Sequence, residues 1–305
     1  MQQSVTEEEY RDFRSFLEDA TGILLGDNKH YLVTSRLHRL LEEYALPNVG
    51  ELMVRLRRER HGDLRNRVIE AMTTNETLWF RDIHPYEILK NLILPELART
   101  GMRRAAIWSA ACSTGQEPYS ISMVVDDFVS THPGALSGGA SILATDISTR
   151  VLNEARRAVY DATSVARGLS EERRKRFMNP VTTKSGPAWE VRPEIRARVN
   201  FRELNLTQPL VGIGRFDVIF CRNVLIYFSS DLKRALIARL AGALNPRGWL
   251  ILGASESIAG ISDTFEMVRA ERSVVYRSLV SQPSPPGLNQ STERTLMLIG
   301  PKGQY

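Results

Sequence analysis

The stretch 104–120, RAAIWSAACSTGQEPYS, decides the fold. A short apolar run of strand length breaks into small and polar residues around Gly115, and Glu117 then opens a helical pattern. That is the strand, loop and helix of an α/β unit, with small residues and Gly115 letting backbone approach a ligand. Further apolar runs recur with helical stretches between them: ASILATDI (140–147), RVNFRELNL (198–206), FDVIFCRN (216–223) and GWLILGA (248–254). Such alternation predicts a doubly wound parallel sheet with helices on both faces. The last two runs, TFEMVRAE (264–271) and SVVYRSL (273–279), follow each other almost directly, so an antiparallel pair closes the sheet. This ending departs from ordinary dinucleotide folds. A dinucleotide fingerprint wants three spaced glycines, and this loop has one.

Upstream the pattern is helical. Tyr10, Phe13, Phe16 and Leu17, then Leu37, Leu40, Leu41 and Tyr44, recur at three- and four-residue spacing, predicting a small all-α module over 1–82. It carries many arginines, Arg36, Arg39, Arg55, Arg57, Arg58, Arg60, Arg65 and Arg67, which read as a docking surface for something negative. A linker helix over 83–100 leads to the sheet domain, 101–280. From Ser281 onward, SQPSPPGLNQSTER reads as a proline-rich flexible tail, 281–305. The later TLMLIG reads as part of that disordered end rather than as a docking strand.

Composition sets bounds. With 305 residues and 43% hydrophobic content the chain can bury real cores. No apolar run approaches the ~20 residues of a membrane span, and the start is acidic, so a cytoplasmic protein without direct membrane insertion is expected. The two cysteines, Cys112 and Cys221, suit buried hydrophobes better than a disulfide framework or a structural zinc site, and no metal is expected. Monomer is the default expectation. The formal net charge of +5 hints at an acidic partner.

In a doubly wound sheet the ligand lies at the carboxyl ends of the strands. Those ends are polar here: Ser113 to Glu117, then Asp146, then Asn205 and Leu206, then Arg222 and Asn223 with Tyr227 just beyond. Asp146 can accept from ribose hydroxyls or serve as a helix cap in TDISTRVLNEA. Four successive polar strand ends together predict a pocket.

TTNETLWFR (73–81), SAACSTGQEPYS (109–120), ATDIS (144–148), Asn205 with Leu206 and FCRNVLIYF (220–228), in that order and spacing, resemble the CheR-type chemotaxis methyltransferases. The resemblance covers the chain to about Leu279. It implies a helical amino-terminal domain, a linker, and a class I domain that binds S-adenosylmethionine and carries a small antiparallel insertion, placed at about 177–201. It further implies transfer of methyl groups to glutamate side chains on the cytoplasmic helices of chemoreceptors. A nucleic-acid methyltransferase is disfavoured, because the fourth strand end lacks an Asn/Asp-Pro-Pro-aromatic sequence and Cys221 lacks a Pro-Cys setting. A catalytically silent cofactor-binding regulator is the other alternative.

The resemblance also implies roles. Arg81 would hold the cofactor carboxylate and Glu117 its ammonium, with Asn75 and Thr77 around the methionine end. Asp146 would hold the ribose, Asn205 and Leu206 would flank adenine or ribose, and Arg222 and Asn223 would add backbone or amide contacts. Tyr227 is placed nearest the methyl. Trp79 and Phe80 read as packing between the helical module and the sheet. Arg55, Arg57 and Arg58 would draw in the acidic receptor helices. The five histidines, His30, His38, His61, His84 and His132, form no constellation, and none is needed: a carboxylate with a pKa of about 4.3 is already ionised at neutral pH. In place of a glycine-rich turn for a receptor peptide the insertion has the single Gly186, which argues against such a tether.

Overall fold

The computed structural model describes residues 5–59, 62–270 and 272–280. The expected tail from Ser281 and the docking role of Arg60 lie outside the described residues.

The amino-terminal module is built of α1 (Glu7–Thr21), α2 (His30–Glu43), α3 (Val49–Arg58) and α4 (Asp63–Met72). A capping box starts α1: the Thr6 side chain accepts from the Glu9 amide while the Glu9 carboxylate accepts from the Thr6 amide. Gly22, at φ 76°, ends it in the left-handed region, where any Cβ would collide with Leu232. The four helices close on Tyr10, Phe13, Leu17, Leu37 and Leu40 with Leu52, Leu56 and Val68, while Phe16, Leu41 and Tyr44 sit at the edge of that core.

Residues 73–83 then cross to the second domain. The linker runs through α5 (His84–Ile88), one π-helical turn (Leu89–Ile93) and α6 (Leu94–Arg99). Next come β1 (Ala105–Ala110), α7 (Gln116–Thr131), β2 (Ala140–Asp146) and α8 (Thr149–Arg157). After the insertion described below, the main sheet resumes with β6 (Val199–Glu203), β7 (Phe216–Cys221), α12 (Ser230–Ala243), β8 (Leu244–Leu252), β9 (Phe265–Ala270) and β10 (Ser273–Ser278). The seven strands lie in the order β6-β2-β1-β7-β8-β10-β9, with β10 antiparallel to both of its neighbours and the remaining pairs parallel. That is the class I methyltransferase sheet. β1 and β7 are buried almost throughout, as central parallel strands must be. One face packs on α7 and the linker helices, the other on α12.

The insertion differs from its expected bounds. It holds β3 (Val159–Asp161), α9 (Ala162–Ala166), α10 (Glu171–Phe177), β4 (Met178–Thr183), β5 (Gly186–Val191) and α11 (Pro193–Arg196), the strands pairing in the order β3-β5-β4. It therefore begins near Val159, and residues 199–201 belong to the main sheet, paired in parallel with Ile142 to Ala144. Three residues are too few for β3 to show a strand period, which hid it from the sequence. Trp79 and Phe80 also pack elsewhere than expected. Trp79 is fully buried edge-on to Tyr160 of β3, and Phe80 lies against Tyr86 with the Arg173 guanidinium 3.9 Å from its ring centroid. Both belong to the core between sheet and insertion, not to the helical module.

Candidate active site

The carboxyl ends of β1, β2, β6 and β7 open on one pocket, where a doubly wound sheet places its ligand. Asn75, Thr77, Arg81, Glu117, Asp146, Asn205, Leu206, Arg222, Asn223 and Tyr227 all line it. Arg55, Arg57 and Arg58 do not; they occupy the last turn of α3 on the helical module.

Glu117 stands in the first turn of α7, which Gly115 starts at φ 95°. A Cβ at Gly115 would come within 2.9 Å of the Ala155 Cβ and 3.0 Å of the Tyr160 hydroxyl, so the loop can pass only as glycine. Glu117 accepts from the Ser109 hydroxyl at 2.8 Å and from the Arg222 guanidinium at 3.0 Å. Burial raises its pKa, against the pull of Arg222 and the Ser109 hydrogen bond. Arg222 is itself buried and also donates to the Arg81 carbonyl at 2.8 Å and to Asp82 at 2.6 Å. Burial alone would lower the guanidinium pKa, but Tyr86, Glu117 and Asp82 outweigh it and the net shift is upward. One arginine thus ties the end of β7 to the start of α7 and to the 80–83 turn.

Asp146 ends β2 and accepts from the amides of Ser113 at 2.9 Å and Ser148 at 3.0 Å. The cap of α8 is Ser148, whose hydroxyl accepts from Val151. Burial holds the Asp146 pKa above its ordinary value despite these amides. The half-buried Arg81 donates from Nη1 to the Glu76 carbonyl at 3.1 Å and presents its fork at the pocket wall. Asn205 is less free than expected: its amide donates to the Ala20 carbonyl of α1 at 2.8 Å, and its oxygen accepts from Thr207. Leu206 lies beside it, nearly buried.

The helical module supplies part of the wall. Thr21, Ile23, Thr73 and Thr74 line the pocket, and the Leu24 amide donates to the Tyr227 carbonyl at 2.8 Å. On the other side Glu70 of α4 accepts from the Arg150 amide at 3.0 Å and from the Thr149 hydroxyl at 3.2 Å, at the start of α8. Arg36, expected on a docking face, points inward, donating to the Met72 carbonyl at 2.6 Å and to Thr74 at 2.9 Å. Arg65 stacks on Phe16 and Arg67 pairs with Glu43. Of the expected trio, Arg55 pairs with Glu59 at 3.0 Å and Arg57 with Asp12 at 2.7 Å, while Arg58 is exposed.

Backbone strain gathers in the pocket wall, at Ala111, Ser113 and Asn223, and in the turn that flanks Arg81. Phe80, Asp82, Ile83, Ala111, Ser113 and Asn223 all have φ between 48° and 67°. Side chains other than glycine rarely adopt such angles, and a β-branched residue such as Ile83 hardly ever does. Two acidic residues outside the expected set, Asp82 and Glu256, hold the strained segments in place.

The chemistry of the wall suits S-adenosylmethionine: the Arg81 guanidinium for a carboxylate, buried acids for an ammonium and ribose hydroxyls, and apolar Ile147 and Leu206 for a base. Comparison with known proteins agrees. The model of the CheR methyltransferase SAM-binding domain matches residues 75–274, and that of the CheR all-alpha domain matches residues 8–73. The chemotaxis protein methyltransferase Cher2 of Pseudomonas putida is 48% identical over 272 residues, 88% of this chain and 98% of that protein. The chemotaxis protein methyltransferase 1 of Pseudomonas aeruginosa is 48% identical over 277 residues, 90% and 99% of the two chains. The chemotaxis protein methyltransferase of Escherichia coli is 32% identical over 265 residues, 87% and 89%. Since both family segments match in order and the strand ends they span meet in one pocket, the chain belongs to the CheR methyltransferase family, whose methyl donor is S-adenosylmethionine.

Proposed function

We propose that the protein transfers a methyl group to glutamate side-chain carboxylates on the cytoplasmic helices of chemoreceptors, forming glutamyl methyl esters for sensory adaptation. The observation that carries this reading is the pocket wall: among the described residues it holds no histidine or lysine, and its buried acids are engaged already, Glu117 by Ser109 and Arg222 and Asp146 by the amides of Ser113 and Ser148. An acceptor ionised at neutral pH needs no general base, since a glutamate has a pKa of about 4.3. Cys112 lines the wall, but burial above all, with Asp146 and Glu117 nearby, pushes its thiol far above the ordinary range, so it stays protonated and unreactive.

Bound S-adenosylmethionine supplies an electrophilic methyl group. Arg81 anchors the donor carboxylate as a charged fork, with Asn75 and Thr77 beside it. Glu117, steadied by Ser109 and Arg222, faces the donor ammonium, and Asp146 takes the ribose. Leu206 and the backbone at Asn205 and Asn223 flank the nucleoside. Tyr227, on the pocket wall, would lie beside the transferred methyl and fix the line of approach. The chain contributes alignment and exclusion of water rather than proton transfer. Arg55, Arg57 and Arg58 draw the acidic receptor helices toward the helical module.

The test is transfer of labelled methyl to a receptor cytoplasmic fragment, followed by mild alkali. Release of the label as methanol is the expected result and marks a carboxyl ester. Label that withstands alkali would assign the enzyme to nitrogen methylation and refute the proposal.

A further inference from the structure

We propose that Glu256 is a positioning residue for methyl transfer, acting through the segment 222–227. This rests on the placement of Asn223 at the donor and of Tyr227 beside the methyl. The chain leaves β7 at Cys221, reverses at Asn223 with φ 57°, and enters the short turn Leu225–Tyr227 that carries the tyrosine to the pocket wall. A reversal of this kind turns backbone amides inward without strand or helix partners. Glu256 receives them. Its Oε2 accepts from the Asn223 amide at 2.7 Å and from the Gly253 amide at 2.8 Å, and its Oε1 lies 3.3 Å from the Ile226 amide.

An ionised carboxylate only accepts, so it can take several amides at once, and the charge shortens and strengthens each bond. The loop after β8 is shaped to bring it there. The Glu256 amide returns to the Gly253 carbonyl at 2.9 Å, bending the chain back on itself. Gly253 must lack a side chain: a Cβ would lie 2.8 Å from both the Asn223 Nδ2 and the Glu256 Oε2. Glu256 is not itself among the residues lining the pocket, and it has no part in the hydrophobic cores. Two of the three amides it accepts, those of Asn223 and Ile226, belong to the backbone that presents Asn223 and Tyr227.

The experiment compares wild type, Glu256→Ala and Glu256→Gln in the full-length protein by methyl transfer to the receptor fragment, S-adenosylhomocysteine calorimetry and thermal unfolding. Releasing the segment should lower kcat about 100-fold in Glu256→Ala, the scale of an ångström of misplacement. S-Adenosylhomocysteine should bind roughly tenfold more weakly, as for loss of one hydrogen bond to a charged group. The acceptor KM should stay unchanged. Glu256→Gln keeps one carbonyl oxygen for the Asn223 and Gly253 amides and should recover most of both losses. Gly253→Ala, which crowds the same contact, should reproduce the Glu256→Ala pattern. Wild-type turnover and donor affinity in Glu256→Ala would overturn the proposal. So would equal failure of the Ala and Gln variants accompanied by an equal fall in Tm, which would mark a role in folding alone. If wild type binds S-adenosylhomocysteine but methylates no receptor fragment, the acceptor assignment has failed. Donor affinity across the three variants then still decides the role of Glu256.

Discussion

Replacing Arg222 by methionine should be among the most destabilising single changes at the site. The arginine side chain is 1% exposed and its partners Glu117 and Asp82 are 12% and 37% exposed. Methionine fills much of the same volume, so the loss is electrostatic rather than a cavity. Glu117 would keep only the Ser109 hydroxyl, and the Arg81 carbonyl would lose its guanidinium donor. Breaking one partner out of a buried ion pair costs about 3–5 kcal/mol, because the remaining charge is left uncompensated. The more exposed Asp82 pair adds about 0–1 kcal/mol. At 2–4 °C per kcal/mol for a domain of this size, Tm should fall by roughly 6–24 °C. Adding Glu117→Gln removes the stranded charge, so the double variant should regain about 1–3 kcal/mol relative to additivity. Urea unfolding followed by tryptophan fluorescence, without donor present, reads all four corners of the cycle. A loss below about 1 kcal/mol for Arg222→Met, or strict additivity in the double variant, would refute the reasoning.

Burial raises the folded-state pKa of Glu117 and Asp146 above their ordinary values of 4.5 and 3.8. Each acid therefore favours the folded state most below its ordinary value, and that contribution is lost as pH rises through the folded pKa. The Tm of wild type minus that of Glu117→Gln should accordingly decrease from about pH 4 towards neutrality, and a flat difference would show that Arg222 fully compensates the buried charge. Charge reversal at Arg55, Arg57 and Arg58 should raise the receptor KM about tenfold or more at low salt, and the effect should shrink towards 1 M salt, where the screening length is about 3 Å. KM insensitive to both would remove the docking role. Tyr227→Phe should reduce kcat while leaving S-adenosylhomocysteine affinity unchanged; full turnover would confine Tyr227 to its ring.

Strands were legible where pattern and burial coincide. RAAIWSAAC and FDVIFCRN announce central strands because parallel strands covered on both faces leave continuous apolar runs. The insertion was legible only in its later strands, since Val159–Asp161 alternates for three residues and then ends in a helix cap at Asp161. Strand ends revealed the pocket because topology alone brings them together. Partnerships across it were not readable: the Arg222–Glu117 pair spans 105 positions, and no local period encodes it. Glu256 was missed because its task is to accept backbone amides, a task that leaves no spacing signature. The arginines were overcounted as a docking face. Charge in the sequence does not show which guanidinium turns inward, as Arg36 does to the carbonyl of Met72.

Thr21 and Ile23 stand in the donor wall, and Leu24 holds the Tyr227 carbonyl, although Thr21 ends the first helix of the arginine-bearing module and the other two follow it directly. On the proposed docking role of Arg55, Arg57 and Arg58, donor and acceptor meet the same body. Thermodynamic reciprocity then constrains the enzyme: whatever factor receptor engagement applies to donor affinity, a loaded donor must apply to receptor affinity. Exchange of spent donor for fresh would then report receptor occupancy.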